Sequence, residues 1–216
     1  MTEPATKTSQ PTGALLESTY WDRHWARGPK ADRYTDLRWL RGNYSYVVLD
    51  DLLKRILPKD EKRSFIELGS GPGRWLVYFQ RTFGYRVSGC DDSPEGCEAA
   101  RATLAASGID GTIVQGDFFK LTGQYDVVFS AGVIEHFEDP SVPLKAFAQL
   151  VRPGGFLITS VPNIGGVNGF YHRVLKPETF STHTRITMAQ LRGWHTGLRL
   201  QERLAPSYGS FSLLRM

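Results

Sequence analysis

Three glycines spaced two residues apart form the part of this chain best suited to chemistry. Gly69, Gly71 and Gly73 follow an apolar run over 65–68 and precede a helical pattern that ends at Gly84. Glycine lacks a Cβ, so backbone N–H groups at such a turn can come very close to a ligand. A nucleotide-type α/β domain needs a turn of this kind where its first strand ends. The pattern therefore predicts a ligand at the carboxyl end of a strand.

The spacing of the glycines separates three kinds of site. A dinucleotide-binding loop has the pattern G-x-G-x-x-G, and here the third glycine comes one residue early, before Arg74. A P-loop requires a lysine and a serine or threonine after its last glycine, and Arg74 followed by Trp75 does not provide them. What remains is E-x-G-x-G-x-G, which begins at Glu67. A tight connection without a ligand is the alternative.

An acidic residue ends the second predicted strand, which covers 85–91. Asp91 lies about 20 residues after the glycine turn, near the spacing at which a carboxylate meets ribose hydroxyls. Because an ionised carboxylate only accepts hydrogen bonds, it can take both hydroxyl protons of a ribose. Ser93 then has the character of an N-cap, so Asp91 and Asp92 could instead serve only to start the next helix.

The third predicted strand, over 112–116, runs into an acid beside an aromatic residue. Asp117 can accept a hydrogen bond from the exocyclic amine of adenine, and Phe118 can cover the face of the base. Strands over 125–130 and 156–161, with an amphipathic helix over 141–151 between them, continue the alternating α/β pattern.

Together these segments resemble, over about residues 62–163, the core of the class I S-adenosylmethionine-dependent methyltransferases. The resemblance is to the small-molecule branch that includes the ubiquinone-biosynthesis O-methyltransferases. The motifs E-L-G-S-G-P-G, G-C-D-D-S-P, G-D-F and V-I-E-H-F-E-D-P occur in the order and at the spacing of that family. The four motifs together indicate this family far more specifically than any one of them does alone.

The resemblance implies an α/β fold: a single-domain, Rossmann-like seven-stranded sheet flanked by helices, with an N-terminal helical lid and a cap after strand 5. It implies S-adenosyl-L-methionine as the cofactor. The glycine turn would surround the methionine part, the acid after the second strand would hold the ribose, and the pair after the third would hold adenine. The implied cofactor-binding residues are Glu67, Gly69, Ser70, Gly71, Gly73, Asp91, Asp92, Asp117, Phe118, Ala131 and Val133.

The regions around this core receive expected roles from their composition and from the resemblance. Tyr20 and Trp25 lie in an aromatic segment that could close over the cofactor and the substrate, and packing against the sheet is the alternative. The expected division is a disordered tail (1–19) and a methyltransferase domain (20–216), made up of a helical lid (20–61), the cofactor core (62–162), a substrate cap (163–187) and a final helix and strands (188–216).

Basic residues are concentrated after Asn163, in a chain whose formal net charge is +4. The cap lies at the edge where α/β folds bind ligands, so its side chains could attract an anionic acceptor. A solvated basic face is the alternative. The predicted substrate-binding residues are Tyr20, Trp25, Tyr171, His172, Arg173 and Arg185.

The identity of the accepting atom is less well marked. His136 follows the fourth strand and is placed to be a general base, but transfer from a sulfonium needs little more than alignment and desolvation. Cys90 and Cys97 are expected to be buried free thiols in a reducing compartment. We expect no metal site, because no set of residues has ligand spacing.

We therefore expect a cytoplasmic methyltransferase that acts on a small molecule, at oxygen, with nitrogen or sulfur also open. No apolar run is long enough to span a bilayer. An RNA methyltransferase would suit the basic C-terminal quarter, although no RNA-binding module accompanies it. A non-catalytic cofactor-binding subunit is the second alternative. The oligomeric state is left open.

Overall fold

A parallel β-sheet lies at the centre of the chain in the computed structural model, which describes residues 13–27, 31–163, 182–198 and 200–201. The described residues form five strands in the spatial order β3-β2-β1-β4-β5, and every neighbouring pair is parallel. The strands are β1 (Ser64–Leu68), β2 (Arg86–Asp91), β3 (Gly111–Gln115), β4 (Tyr125–Ala131) and β5 (Val151–Ser160).

Helices connect the strands and cover both faces of the sheet. The α-helices are α1 (Ser18–Ala26), α2 (Arg38–Arg41), α3 (Tyr44–Ile56), α4 (Arg74–Phe83), α5 (Pro94–Ala106), α6 (Ser141–Gln149) and α7 (Met188–Gly197). Short 3₁₀ helices cover Ala31–Tyr34, Phe118–Lys120 and Ile134–His136. The alternation of strands and helices confirms the predicted α/β, Rossmann-like class.

The two faces of the sheet pack against different helices, as strands with apolar residues on both sides require. On one face Phe65 and Phe129 contact Phe79 of α4. On the other face Ile66 belongs to a buried cluster with Leu144 of α6. Strand order reverses between β1 and β4, and the crevice outside the carboxyl ends of strands at such a point is where α/β sheets bind ligands.

The fifth strand begins earlier than the predicted segment over 156–161. Val151 already pairs with Tyr125, and after an irregularity in register the pairing resumes between Phe156 and Val127. Gly154 has a φ of 77° within this irregularity. The glycines that ordinarily stop a helix therefore serve here to form a bulge inside a strand.

The described residues account for five of the seven strands predicted for the sheet. The remaining two would follow α7, where most residues lie outside the described part of the chain. Among the described helices, none combines the length and the apolar character that crossing a bilayer requires.

The segment before α1 is held by β-type hydrogen bonds. Ala14 forms an antiparallel bridge with Phe137, and Leu15 N–H donates to the carbonyl of His136 over 2.8 Å. Glu138 N–H donates to the carbonyl of Gly13 over 2.9 Å. Residues 13–19 thus include these contacts and the start of α1, and residues 1–12 of the predicted tail lie outside the described residues.

Candidate functional site

The glycine turn is fixed to the carboxyl end of the neighbouring strand β2. Gly69 N–H donates to the carbonyl of Cys90 over 2.9 Å, and Gly71 N–H donates to Oδ2 of Asp91 over 2.8 Å. Gly73 has a φ of 87° and is the N-cap of α4, where no side chain accepts from the first helical N–H groups. The predicted turn therefore brings its backbone and the predicted ribose acid together.

Neighbouring residues leave no room for side chains at the glycine positions of this turn. Gly69 has a φ of 75°, and a Cβ there would stand 2.5 Å from Cγ2 of Val133. Gly89 was not among the predicted residues, yet a Cβ on it would stand 2.6 Å from Oγ of Ser70. Gly89 thus leaves the space that the buried Ser70 side chain needs. The sequence gives no local sign of this, since the two residues meet only across the sheet.

Asp91 anchors two backbone segments at once. Its Oδ2 accepts from Gly71 N–H, and its Oδ1 accepts from Ser93 N–H over 3.0 Å. Burial raises the pKa of Asp91 above its usual value, and these two hydrogen bonds oppose that rise. Each oxygen keeps a second lone pair that could accept from a hydroxyl. Ser93 is confirmed as the N-cap of α5, since its Oγ accepts from Gly96 N–H over 3.0 Å.

Glu67 lies on β1 under the first turn of α4. Its side chain is buried, and its Oε2 has no hydrogen-bond partner among the described residues. Burial raises the pKa of Glu67 well above its usual value; the charge of Arg74 opposes this, and the charge of Asp91 adds to it. A buried acid with an unpartnered oxygen is costly unless a donor or cation meets it.

The residues predicted to contact adenine lie at the end of β3. Asp117 caps its own 3₁₀ helix, because its Oδ1 accepts from Phe119 N–H over 2.9 Å. The ring of Phe118 meets those of Phe119, Phe137 and Phe147. Asp92 is exposed, and its pKa is raised by partial burial and by the nearby charge of Asp117. The adenine contact stays a prediction.

Helix α1 lies across the glycine turn. A Cβ on either Gly71 or Gly96 would stand 2.9 Å from the indole of Trp25. Asp22 of the same helix accepts a hydrogen bond from Ser93 Oγ over 2.6 Å. Tyr20 is 38% exposed, in contrast. The indole therefore packs on two glycines beside Asp91, which suits the predicted lid position of Trp25.

A second group of polar residues lies beyond the end of β4. The His136 ring stands 4.9 Å from the Trp21 ring and 4.5 Å from the His183 ring, measured between centroids. His136 Nδ1 lies 2.9 Å from the carbonyl of Thr182, so this nitrogen carries the proton that it donates. Burial, together with His183, lowers the pKa of His136 to about 4. Burial raises the pKa of Glu135 to about 8.

Sequence reasoning missed the partners of His136 in this group. Glu135 adjoins it but was read only as part of a motif, and His183 lies far along the chain. Of the predicted substrate-binding residues, Arg185 is exposed near the end of the segment that carries His183. Tyr171, His172 and Arg173 lie outside the described residues.

The residues around the turn fit S-adenosylmethionine. The unpartnered Glu67 oxygen suits an ammonium group, and the free lone pairs of Asp91 suit hydroxyls. Val133 and Trp25 pack directly against Gly69 and Gly71, because even a methyl group on either glycine would collide with them.

Replacing Trp25 with alanine should weaken binding of S-adenosylmethionine about 2- to 30-fold, the range of one cation–π contact to a sulfonium. S-adenosylhomocysteine lacks the positive charge on sulfur, so its affinity should change less. Calorimetry with both ligands measures the difference, and Arg23→Ala on the exposed side of α1 is the control. Equal weakening of both ligands would assign Trp25 to packing alone.

This chain is similar to known methyltransferases. Residues 39–213 match the family described as "Methyltransferase domain". The ubiquinone biosynthesis O-methyltransferase of Escherichia coli O9:H4 (strain HS) is 33% identical over 153 residues, which cover 65% of this chain and 63% of that protein. The protein of the same name from Escherichia coli O127:H6 is 31% identical with the same coverage. The chain thus spans about 63% of the length of these relatives.

Solved structures share the fold. A putative methyltransferase of Haloferax volcanii, in complex with the Trm112 methyltransferase activator, is similar with a TM-score of 0.58 and 24% identity, covering 79% of this chain and 76% of that one. A possible histamine N-methyltransferase of Thermotoga maritima has a TM-score of 0.56 and 18% identity, covering 85% of this chain and 77% of that one.

Proposed function

This chain belongs to the S-adenosylmethionine-dependent methyltransferase domain family, and from this premise we propose that it transfers a methyl group to an oxygen atom of a small-molecule acceptor. One observation carries the proposal: the glycine turn is bound through Gly71 to Asp91, and beside it lies the buried acid Glu67, whose Oε2 has no partner among the described residues. An acid that can meet an ammonium group and an acceptor for hydroxyls are groups needed to hold an amino acid joined to a nucleoside.

The chain's residues would hold the cofactor by its two polar ends. Glu67 would pair with the ammonium group, and Asp91 would accept from the ribose hydroxyls on the second lone pairs of its oxygens. Trp25 excludes water above Gly71. When bound, S-adenosylmethionine supplies a methyl group on a positively charged sulfur.

The acceptor would approach from the side of β4, where Val133 touches Gly69 and Trp21 covers His136. Alignment and removal of water supply most of the rate, since methyl transfer from a sulfonium needs no obligatory acid. The general-base role of His136 stays a prediction. Its ring is neutral at physiological pH, but a pKa of about 4 makes it a weak base.

Oxygen is favoured as the accepting atom because the curated relatives at 31–33% identity are named ubiquinone biosynthesis O-methyltransferases. An anionic acceptor is proposed from the basic character of the chain after Asn163, of which Arg185 is a described and exposed member. The RNA methyltransferase and the non-catalytic subunit remain the competing proposals.

The test is methyl transfer from labelled S-adenosylmethionine to matched acceptors. Phenols with and without a carboxylate, amines, thiols and total RNA should be offered in parallel, with heat-denatured protein as the blank. Label is expected in phenols, and more in the carboxylated ones. Label in RNA alone would support the competing RNA activity. Cofactor binding by calorimetry without transfer to any class would favour the non-catalytic subunit.

A further inference from the structure

We propose that Glu135, His136 and His183 form a binding site for one divalent transition-metal ion, with Zn²⁺ as its best probe. One ligand atom from each residue lies within 4.8 Å of the other two. Ligands around a tetrahedral zinc stand roughly 3.3 Å apart, given bonds of about 2.0–2.1 Å. Small side-chain rotations would close the remaining gap. The inference does not rest on the proposed methyl transfer, because its test measures bound metal and not product.

The carboxylate of Glu135 gives an independent reason to expect a cation. The residue is 2% exposed, and neither of its carboxylate oxygens has a hydrogen-bond partner among the described residues. A buried acid is stable when it is paired, hydrogen-bonded or bound to metal. No Lys or Arg forms an ion pair with it in the described part of the chain. A metal ion would satisfy both the charge and the oxygens.

The hydrogen bond of His136 suits the tautomer of a metal-bound imidazole. Its Nδ1 donates to the carbonyl of Thr182 over 2.9 Å, which leaves the lone pair on Nε2. A backbone carbonyl that fixes the tautomer of a ligand histidine is a common outer contact in metal sites. His136 is 8% exposed, and the Trp21 ring covers it edge-on at 4.9 Å between centroids.

The third residue is brought in by a segment that is docked onto the 3₁₀ helix after β4. Thr184 N–H donates to the carbonyl of Glu135 over 2.7 Å, and Thr184 Oγ1 donates to the carbonyl of Phe137 over 2.7 Å. These bonds hold His183 beside His136 without help from a metal. The backbone that carries the three ligands is therefore already in place, although His183 lies 47 residues after His136 in the sequence.

The donor set indicates which ions would bind. Two imidazoles and one carboxylate suit Zn²⁺, Fe²⁺, Co²⁺ or Mn²⁺, whereas Mg²⁺ and Ca²⁺ prefer oxygen ligands. Three protein ligands leave a coordination position for water or an acceptor, as in catalytic rather than structural zinc sites.

Untagged protein should be stripped with a chelator, loaded with Zn²⁺ and dialysed, and its metal content measured. We expect one ion per chain, and Co²⁺ should give the visible absorption of a low-symmetry site. Glu135→Gln and His183→Ala should each weaken metal binding by about 100-fold or more. Loss of a residue that only hydrogen-bonds to a metal ligand costs about 10- to 100-fold in metal affinity, so a larger loss identifies a direct ligand. His195→Ala on α7, which lies outside the group, should leave metal content unchanged.

Calorimetry with S-adenosylhomocysteine reports whether each variant is folded. If Glu135→Gln does not fold, His183→Asn decides, because it changes a half-buried residue of a docked segment. Absence of stoichiometric metal from the wild-type chain would overturn the proposal. So would an ion that survives both substitutions, since it would then be bound elsewhere.

Discussion

Replacing Asp91 with alanine is expected to weaken S-adenosylmethionine binding by about 1.5–3 kcal/mol, or roughly 10- to 150-fold in Kd. That is the range for hydrogen bonds to a charged group. The carboxylate already accepts from Gly71 and Ser93 N–H groups, so the substitution removes the predicted ribose acceptor and loosens the turn together. Calorimetry of the folded variant measures the loss.

Two comparisons separate the two effects of this substitution. Asp91→Asn keeps one acceptor oxygen for the turn but leaves only one oxygen for the ribose. Compared with Asp91→Ala, it should therefore restore the free energy of unfolding more fully than it restores cofactor affinity. Glu98→Ala removes a carboxylate that is 77% exposed on α5, the helix that follows Asp91, and should leave both fold stability and cofactor affinity unchanged. Wild-type affinity in folded Asp91→Ala would remove this residue from the cofactor site.

Local sequence patterns were enough to predict the cofactor side of the molecule. The glycine turn, the acid that ends β2 and the Ser93 N-cap depend on neighbours a few residues away, and the structure has all three features where predicted. Apolar runs located the strands for the same reason. The start of β5 was misplaced, because Gly154 can end a helix or form a bulge and only the pairing partner decides which.

Contacts between distant residues could not be predicted in this way. Gly89 makes room for Ser70 across two strands, and Trp25 reaches Gly96 from another helix. The grouping of Glu135 with His183 depends on how a late segment returns to the sheet. No period or spacing in the sequence encodes these distances, since each results from the packing of the whole sheet.

Replacing Glu67 with glutamine is expected to abolish a pH dependence of cofactor binding that arises because binding releases a proton from Glu67. Glu67 is buried, and its pKa in the free protein is raised well above its usual value. An ammonium group beside it favours the charged form and therefore lowers that pKa. Binding should release protons at pH values between the lowered and the raised pKa. Affinity should then rise with pH through that interval and level off above it.

In Glu67→Gln the side chain cannot ionise, so this rise should disappear, and affinity above the interval should fall by about 1.5–3 kcal/mol. Calorimetry in two buffers of different ionisation enthalpy counts the protons released. S-adenosylhomocysteine has the same ammonium group and should behave like S-adenosylmethionine. Methylthioadenosine lacks the amino acid part, so its binding should release no proton through Glu67 and should be indifferent to the substitution.

The comparison between the two nucleosides decides the role of Glu67. Its Oε2 has no hydrogen-bond partner in the described structure, so the ammonium group of the cofactor would supply the missing donor. An acid with a purely structural role would instead be protonated, and the ligand would not change its charge. If the substitution lowers the affinity for methylthioadenosine as much as that for S-adenosylhomocysteine, Glu67 supports the start of α4 and does not contact the ligand. If only the ligands with an ammonium group weaken, the charge of Glu67 recognises the amino acid end of the cofactor directly.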